Sequence, residues 1–292
     1  MTGIPFIKKT YQLGEGPIWD HRIHRLYYID IDGMLLAFID QDSDQPTEIA
    51  LPKMPGTVIL SNNPDEVYLL LEDGLYKYVV YADNLVFIRR PKENLTNYRF
   101  NEGKCDPFGH IIVGTMHKTD AEKKPGILYR IDPLGDFMII DQPIHIPNGM
   151  VWDLEHGYYY IIDSPKQLVY RYDLDLTTGA INNKIPWINF AGENSFPDGM
   201  TSDESGMLYI ANWKGHRISK WNPLTKEKLD EYEIDALNVT SCVFGGDKLD
   251  RLFVSSASVD TPKSSVFSHC GNIFYIDHVA NGLPSNLYTF KK

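Results

Sequence analysis

Apolar and aromatic residues fall in short runs, at 26–29, 67–71, 110–113, 158–162, 207–211 and 251–255, each bounded by Gly, Pro, Asn or Asp. Val, Ile, Tyr, Phe and Trp are clustered in such runs and almost nothing sustains a helical period, so the pattern predicts strands. A second apolar run follows several of them, at 128–131, 168–172, 218–221 and 273–276. Strand pairs spaced in this way suit one four-stranded sheet every 40 to 50 residues or so.

The polar residues repeat with the same period. Pro147-Asn148-Gly149-Met150-Val151-Trp152-Asp153 returns about fifty residues later as Pro197-Asp198-Gly199-Met200-Thr201-Ser202-Asp203, and weaker copies begin near Glu15, Thr57, Asn101 and Cys242. Six such units predict an all-β chain, a six-bladed β-propeller that occupies residues 1–292 as a single domain. The ring must close, and Phe6 to Gln12 alternates well enough to add an outer strand to the last blade, around Ile273 to Asp277.

Composition narrows the setting. The formal net charge is −11 and no long basic cluster interrupts it, which argues against nucleic acid as a partner. The opening residues Met1-Thr2-Gly3-Ile4-Pro5 lack the basic and then apolar pattern of a leader, and no run approaches bilayer length, so no membrane partner is expected. Three cysteines, Cys105, Cys242 and Cys270, form an odd set without metal-type spacing, which predicts a reducing, cytoplasmic setting. A monomer or weak homo-oligomer is expected.

In a closed propeller, equivalent loop residues of successive blades meet around the central axis. Counting five residues back from each repeat aspartate, or from Asn62 in the second copy, gives Glu15, Thr57, Asn101, Asn148, Asp198 and Cys242. This ring is rich in oxygen donors and holds two carboxylates, which suits a hard divalent cation with positions left open to water or substrate. The prediction is a central metal site with one divalent ion held by Glu15, Asn148 and Asp198. Ca²⁺ is the first choice, with Zn²⁺, Mn²⁺, Mg²⁺ or Fe²⁺ as alternatives. Taken singly, Asn148-Gly149 and Asp198-Gly199 are also the commonest turn dipeptides. Glu15 argues for ligands, because a poor turn former stands in the same register between Gly14 and Gly16.

Several ordered motifs carry a family resemblance: Leu13-Gly14-Glu15-Gly16-Pro17-Ile18-Trp19, Arg99-Phe100-Asn101-Glu102-Gly103-Lys104-Cys105-Asp106, Gly114-Thr115-Met116, Asn148-Gly149-Met150-Val151-Trp152 and Pro197-Asp198-Gly199-Met200. The chain resembles the SMP-30/gluconolactonase/luciferin-regenerating family, which includes regucalcin, over about 13–276. The resemblance implies a six-bladed propeller with one catalytic divalent metal on Glu15, Asn148 and Asp198, and it makes Arg99 and Asn101 substrate-binding residues. Regucalcin-like members carry an acidic pair soon after Gly-Thr-Met, and one of its Glu residues touches the sugar. Here the sequence reads His117-Lys118-Thr119-Asp120. His117, which resembles a His of some bacterial sugar-lactonase members, becomes the candidate substrate-facing residue.

The chemistry predicted from this set is metal-assisted hydrolysis of a small-molecule sugar lactone to its aldonic acid. Asp198 is the candidate general base; the alternative is that it serves only as a ligand. Arg99 offers a planar fork of donors, and Asn101 both a donor and an acceptor, for a polyhydroxylated ring. No Gly-x-Ser-x-Gly or His-Glu-x-x-His occurs, which argues against serine-hydrolase and zincin chemistry. Two further readings stand beside this one: a non-catalytic calcium-binding or scaffold propeller, and a related hydrolase acting on organophosphates or luciferin-type heterocycles.

Overall fold

The computed structural model describes residues 1–291. Six four-stranded antiparallel sheets follow one another around a ring, as the repeat predicts, and helix is confined to two single turns, Val80–Ala82 and Ser164–Lys166. The first strands of the blades are Gly14–Asp20, Pro55–Leu60, Tyr98–Cys105, Pro147–Asp153, Phe196–Ser202 and Asn238–Gly245. Each contacts its counterparts in the two neighbouring blades, so these six strands surround the axis. The sixth blade takes its outer strand from the start of the chain, where Ile4–Ile7 pairs with Ile273–Asp277. Closure therefore uses the predicted partner, through a segment a few residues earlier than Phe6 to Gln12.

The apolar face of each strand is buried between blades. One hydrophobic cluster fills each interface, for example Met150, Tyr159 and Ile161 with Ile112 and Leu128 between the third and fourth blades. Trp19 lies in such an interface and stacks on Phe253 of the sixth blade at 5.4 Å, which anchors the two ends of the ring to one another. The repeat aspartates fix the turns after the first strands. Asp106 accepts from the Phe108 and His110 amides, and Asp203 from the Ser205 and Met207 amides.

Every first strand breaks register close to the ring positions, at Glu15/Ile18, Pro55/Thr57, Phe100/Gly103, Asn148/Met150, Pro197/Met200 and Val239/Ser241. Bulges of this kind re-aim side chains at barrel rims and binding sites. They also explain the Asn-Gly and Asp-Gly pairs, which lie inside strands and are not hairpin turns. A Cβ on Gly149 would come within 2.3 Å of the Met200 Cβ, and one on Gly199 within 2.1 Å of the Ser241 Oγ. Glycine is required at both because neighbouring blades approach there backbone to backbone.

The lower end of the axis is crossed by the C-terminal segment. It pairs with the fifth blade at Asp203 and Gly282 and with the second at Ser61 and Tyr288. Tyr288 is fully buried, lies edge-on to Tyr68, and donates its hydroxyl to the Asp132 carbonyl of the third blade. Between this strap and the first strands lies a cavity of about 690 Å³, whose lining includes Glu102, Lys104, Thr57, Asp203 and Asn286.

Candidate active site

Glu15, Asn148 and Asp198 stand near the starts of three first strands, at the end of the axis opposite the strap, and all three are buried. Asn148 is held by an ordered chain of hydrogen bonds. Arg99 Nη1 donates to Asn101 Oδ1 at 2.7 Å, and Asn101 Nδ2 donates to Asn148 Oδ1 at 2.7 Å and to the Pro147 carbonyl at 3.0 Å. Asn148 Nδ2 donates to Ser164 Oγ at 2.8 Å, and that hydroxyl donates to the Pro197 carbonyl at 2.6 Å. The hydroxyl proton of Ser164 is thereby committed, so the amide nitrogen of Asn148 faces Ser164 and its oxygen is turned away. One lone pair of that oxygen remains after Asn101 is served.

Ser164 thus joins Asn148 in the fourth blade to the residue before Asp198 in the fifth. A second tie lies two residues further along both strands, where the Lys104 ammonium donates to the Met150 carbonyl at 3.2 Å and to the Met200 carbonyl. The same ammonium lies 3.7 Å from Glu102 Oε1, while Glu102 Oε2 is buried with no hydrogen-bond partner. The Glu15 side carries a tie of the same kind, because Thr240 of the sixth blade donates its hydroxyl to the Gly14 carbonyl at 2.6 Å, while Glu15 Oε2 accepts the amide of the next residue, Gly16, at 2.8 Å.

Burial dominates the electrostatics. The Glu15 carboxyl is raised to about 8, chiefly by burial and then by the nearby Glu102, against the pull of the Gly16 amide, Arg99 and Lys104. Burial, followed by the charges of Glu15 and Glu102, holds Asp198 well above the usual carboxylate range, with Arg99 opposing. Glu102 is pushed up to about 7, chiefly by burial, with Lys104 pulling the other way. Carboxyls buried close together resist joint ionisation unless a cation neutralises them.

Two acids and one oriented amide oxygen form a donor set suited to a hard divalent cation. Among the described residues, no three His, Cys, Asp or Glu side chains form a metal-binding group on their own.

The other ring positions diverge from the counting rule. Cys242 lies in the hydrophobic cluster between the fifth and sixth blades and donates its thiol to the Tyr209 carbonyl. The bulge of that strand falls at Thr240, two residues earlier, so alternation turns Ser241 and Val243 toward the axis and Cys242 away. Thr57 donates to the Gly103 carbonyl and lines the lower cavity. His117 is buried on the strand beside Arg99, its ring edge-on to Tyr98, with Nδ1 accepting from the Thr119 and Asp120 amides at 3.3 and 3.1 Å. These bonds place its proton on Nε2 and tether the loop that follows.

Residues 13–258 match the model of the SMP-30/Gluconolactonase/LRE-like region. The chain belongs to this family. Its relatives include the YvrE protein of Bacillus subtilis (strain 168), provisionally named a sugar lactone lactonase, which is 33% identical over 264 residues covering 90% of each chain. Pentonolactonase XacC of Haloferax volcanii is 30% identical over 295 residues covering 97% of each. Among solved structures, a luciferin-regenerating enzyme superposes with a TM-score of 0.89 at 29% identity, covering 98% of this chain and 100% of the other.

Ser164, Lys104 and Glu102 were not predicted as site residues. Glu102 and Lys104 stand inside the quoted Arg-Phe-Asn motif, so their alternation with Asn101 along one strand was the available signal. Ser164 lies on a loop outside the repeat register and left none.

Proposed function

We propose that this protein is a divalent-metal-dependent lactonase that opens sugar lactones to aldonic acids. The observation that carries the reading is the fixed orientation of Asn148 at one mouth of the ring together with two buried acids, Glu15 and Asp198, whose carboxyls are raised chiefly by burial. Names of relatives support it, since lactonase and pentonolactonase occur among those matched across nine-tenths or more of the chain. Glu15, Asn148 and Asp198 would hold the cation. When bound there, it supplies Lewis acidity toward the ester carbonyl and lowers the pKa of water in its coordination sphere. Ca²⁺ fits the oxygen-only donor set best.

The chain's own groups supply the rest. Asp198, once ionised, accepts the proton of the attacking water as general base. Arg99 retains donors beyond its bonds to Asn101 and the Phe100 carbonyl, and these suit a ring hydroxyl or the carbonyl of the substrate. Both amide hydrogens of Asn101 are spent on Pro147 and Asn148, so in this arrangement it acts by holding Asn148 in place. His117 Nε2 is the donor we assign to the substrate side of the mouth.

The test is turnover of an aldonolactone panel followed by proton release. Activity should vanish with EDTA, return with a divalent ion, and fall by about a thousandfold or more in Asp198→Ala with the fold retained. Saturable cation uptake with no turnover on any lactone would instead support a binding propeller.

A further inference from the structure

The cavity at the strap end of the axis has no part in the proposed reaction. Its volume of about 690 Å³ lies within the range of small-molecule sites, roughly 300–1,000 Å³. At its buried end stands Glu102, next in sequence to Asn101 of the mouth and only 6% exposed, whose Oε2 has no hydrogen-bond partner among the described residues. Ile18, Val58, Met150, Val243 and Leu287 give it hydrocarbon walls. The exposed members of the lining, Leu154 and Glu155 of the fourth blade, Glu204 of the fifth, and Leu283 and Pro284 of the strap, mark its opening. That side is open because the strap is tied elsewhere: to the fifth blade at Asp203, to the second at Ser61, and to the third through Asn286, which donates to the Cys105 carbonyl at 3.1 Å.

Of the charged residues that line this cavity, five are acids and one, Lys104, is basic. The Lys104 ammonium is already engaged by the Met150 and Met200 carbonyls and faces Glu102 Oε1, not Oε2. Asp153 is occupied by His156, and Asp203 by the Ser205 and Met207 amides and the Tyr209 hydroxyl. Unmatched negative charge is therefore left at two places. One is Glu102 Oε2 at the buried end. The other is the rim, where Glu155 has no hydrogen-bond partner among the described residues and Glu204 accepts a single long bond from Asn281 at 3.4 Å. A buried carboxylate oxygen without a donor is costly, and a ligand N–H that reaches it removes the cost. Acceptors at both ends with hydrocarbon between them match an alkyl chain that carries an ammonium at each end.

We propose that this cavity is a second ligand site, separate from the mouth that holds Glu15, Asn148 and Asp198, and that it binds a linear aliphatic diamine with one ammonium on Glu102 Oε2 and the other at the Glu155 and Glu204 rim. The site does not depend on the lactonase reading, and its test needs no turnover.

The probe is 1,5-diaminopentane, titrated calorimetrically into the full chain beside pentane-1,5-diol, which has the same carbon chain without the charges. The diamine should bind at least about tenfold more tightly than the diol. Glu102→Gln should weaken the diamine by roughly ten- to a hundredfold, the range of a charge-assisted hydrogen bond, and leave the diol within about threefold of wild type. Because Glu102 also borders the hub, the double variant Glu155→Gln and Glu204→Gln at the exposed rim is an independent arm. It should weaken the diamine by about three- to tenfold, with the melting temperature within about 1 °C of wild type. No diamine binding by wild type, equal affinities for diamine and diol, or an unchanged diamine affinity in either variant would overturn the assignment. Each titration is repeated in EDTA and with saturating Ca²⁺, and the diamine affinity should agree within about threefold. Displacement of the diamine by Ca²⁺ would put it on the hub carboxyls and sink the second site.

Discussion

The two sides of the hub are built differently. Asn148 and Asp198, on adjacent blades, have their strands cross-tied above by Ser164 and below by Lys104, and Arg99 and Asn101 buttress Asn148 from the third blade. Glu15, across the axis, has one such tie, from the Thr240 hydroxyl to the Gly14 carbonyl, and its carboxylate accepts the amide of its own neighbour. Ties are thus more numerous on the side bearing the proposed base and the proposed amide ligand. The contrast teaches that residues of one ring position can be held to different degrees, which on the proposed reading gives one pair the geometry and the third the charge.

Removing the lower tie should give the largest effect. Lys104→Met strips the Met150 and Met200 carbonyls of their donor and leaves Glu102 without a cation. We expect a loss of about 3 kcal/mol or more, or roughly 6–12 °C in melting temperature, from breaking a buried charged network. Cation affinity should fall by about ten- to a hundredfold, as for other groups that orient ligands. Unchanged melting and cation titration would show that the tie is dispensable.

Ser164→Ala removes the upper tie alone. Asn148 loses the acceptor that fixes its amide, and affinity should weaken by about tenfold at a cost near 1–2 kcal/mol of stability. If the braced side sets geometry, this variant lowers kcat as well as affinity. Loss of affinity with kcat intact would mean that the orientation of Asn148 is not used in turnover.

On the Glu15 side the sign reverses. Glu15→Gln should also weaken cation binding by about tenfold, yet the metal-free protein should melt a few degrees higher at pH 8, because a costly buried charge is gone. A metal-free variant less stable than wild type would place a structural duty on Glu15 that the hydrogen bonds do not show.

The smallest effect is graded with pH. Glu15 and Glu102 are raised to about 8 and about 7 from the ordinary 4.5. Between those values and 4.5 the native state keeps protons that the unfolded chain has released. Stability of the metal-free protein should therefore be greatest below about pH 4.5 as far as these groups are concerned, and should decline as pH rises through 7 to 8. Glu102→Gln should flatten the lower part of that decline, measured as melting temperature against pH in EDTA.

The propeller was legible because each blade must bury two faces, and that demand writes a long-period repeat of apolar runs and anchoring aspartates into the chain. That Glu15, Asn148 and Asp198 share one mouth was legible for the same reason, as the repeat carries them there. Cys242 was misplaced because a bulge moves side chains from one face of a strand to the other without leaving a mark in residue spacing. Ser164 was missed for a different cause. It stands on a single helical turn between the second and third strands of its blade, a connection that repeats in position around the ring but not in sequence, and only folding brings it beside the residues it serves.

The strap and the N-terminal strand bear on how the molecule comes apart. Stacked-repeat proteins ordinarily fray from their terminal units, which have a neighbour on one side only. Here the opening segment is woven into the last blade, and the closing segment runs from the fifth blade to the second and third. No blade is left as a loose end, so amide exchange in the first and last blades should be as slow as in the middle ones, and melting should proceed as a single cooperative event.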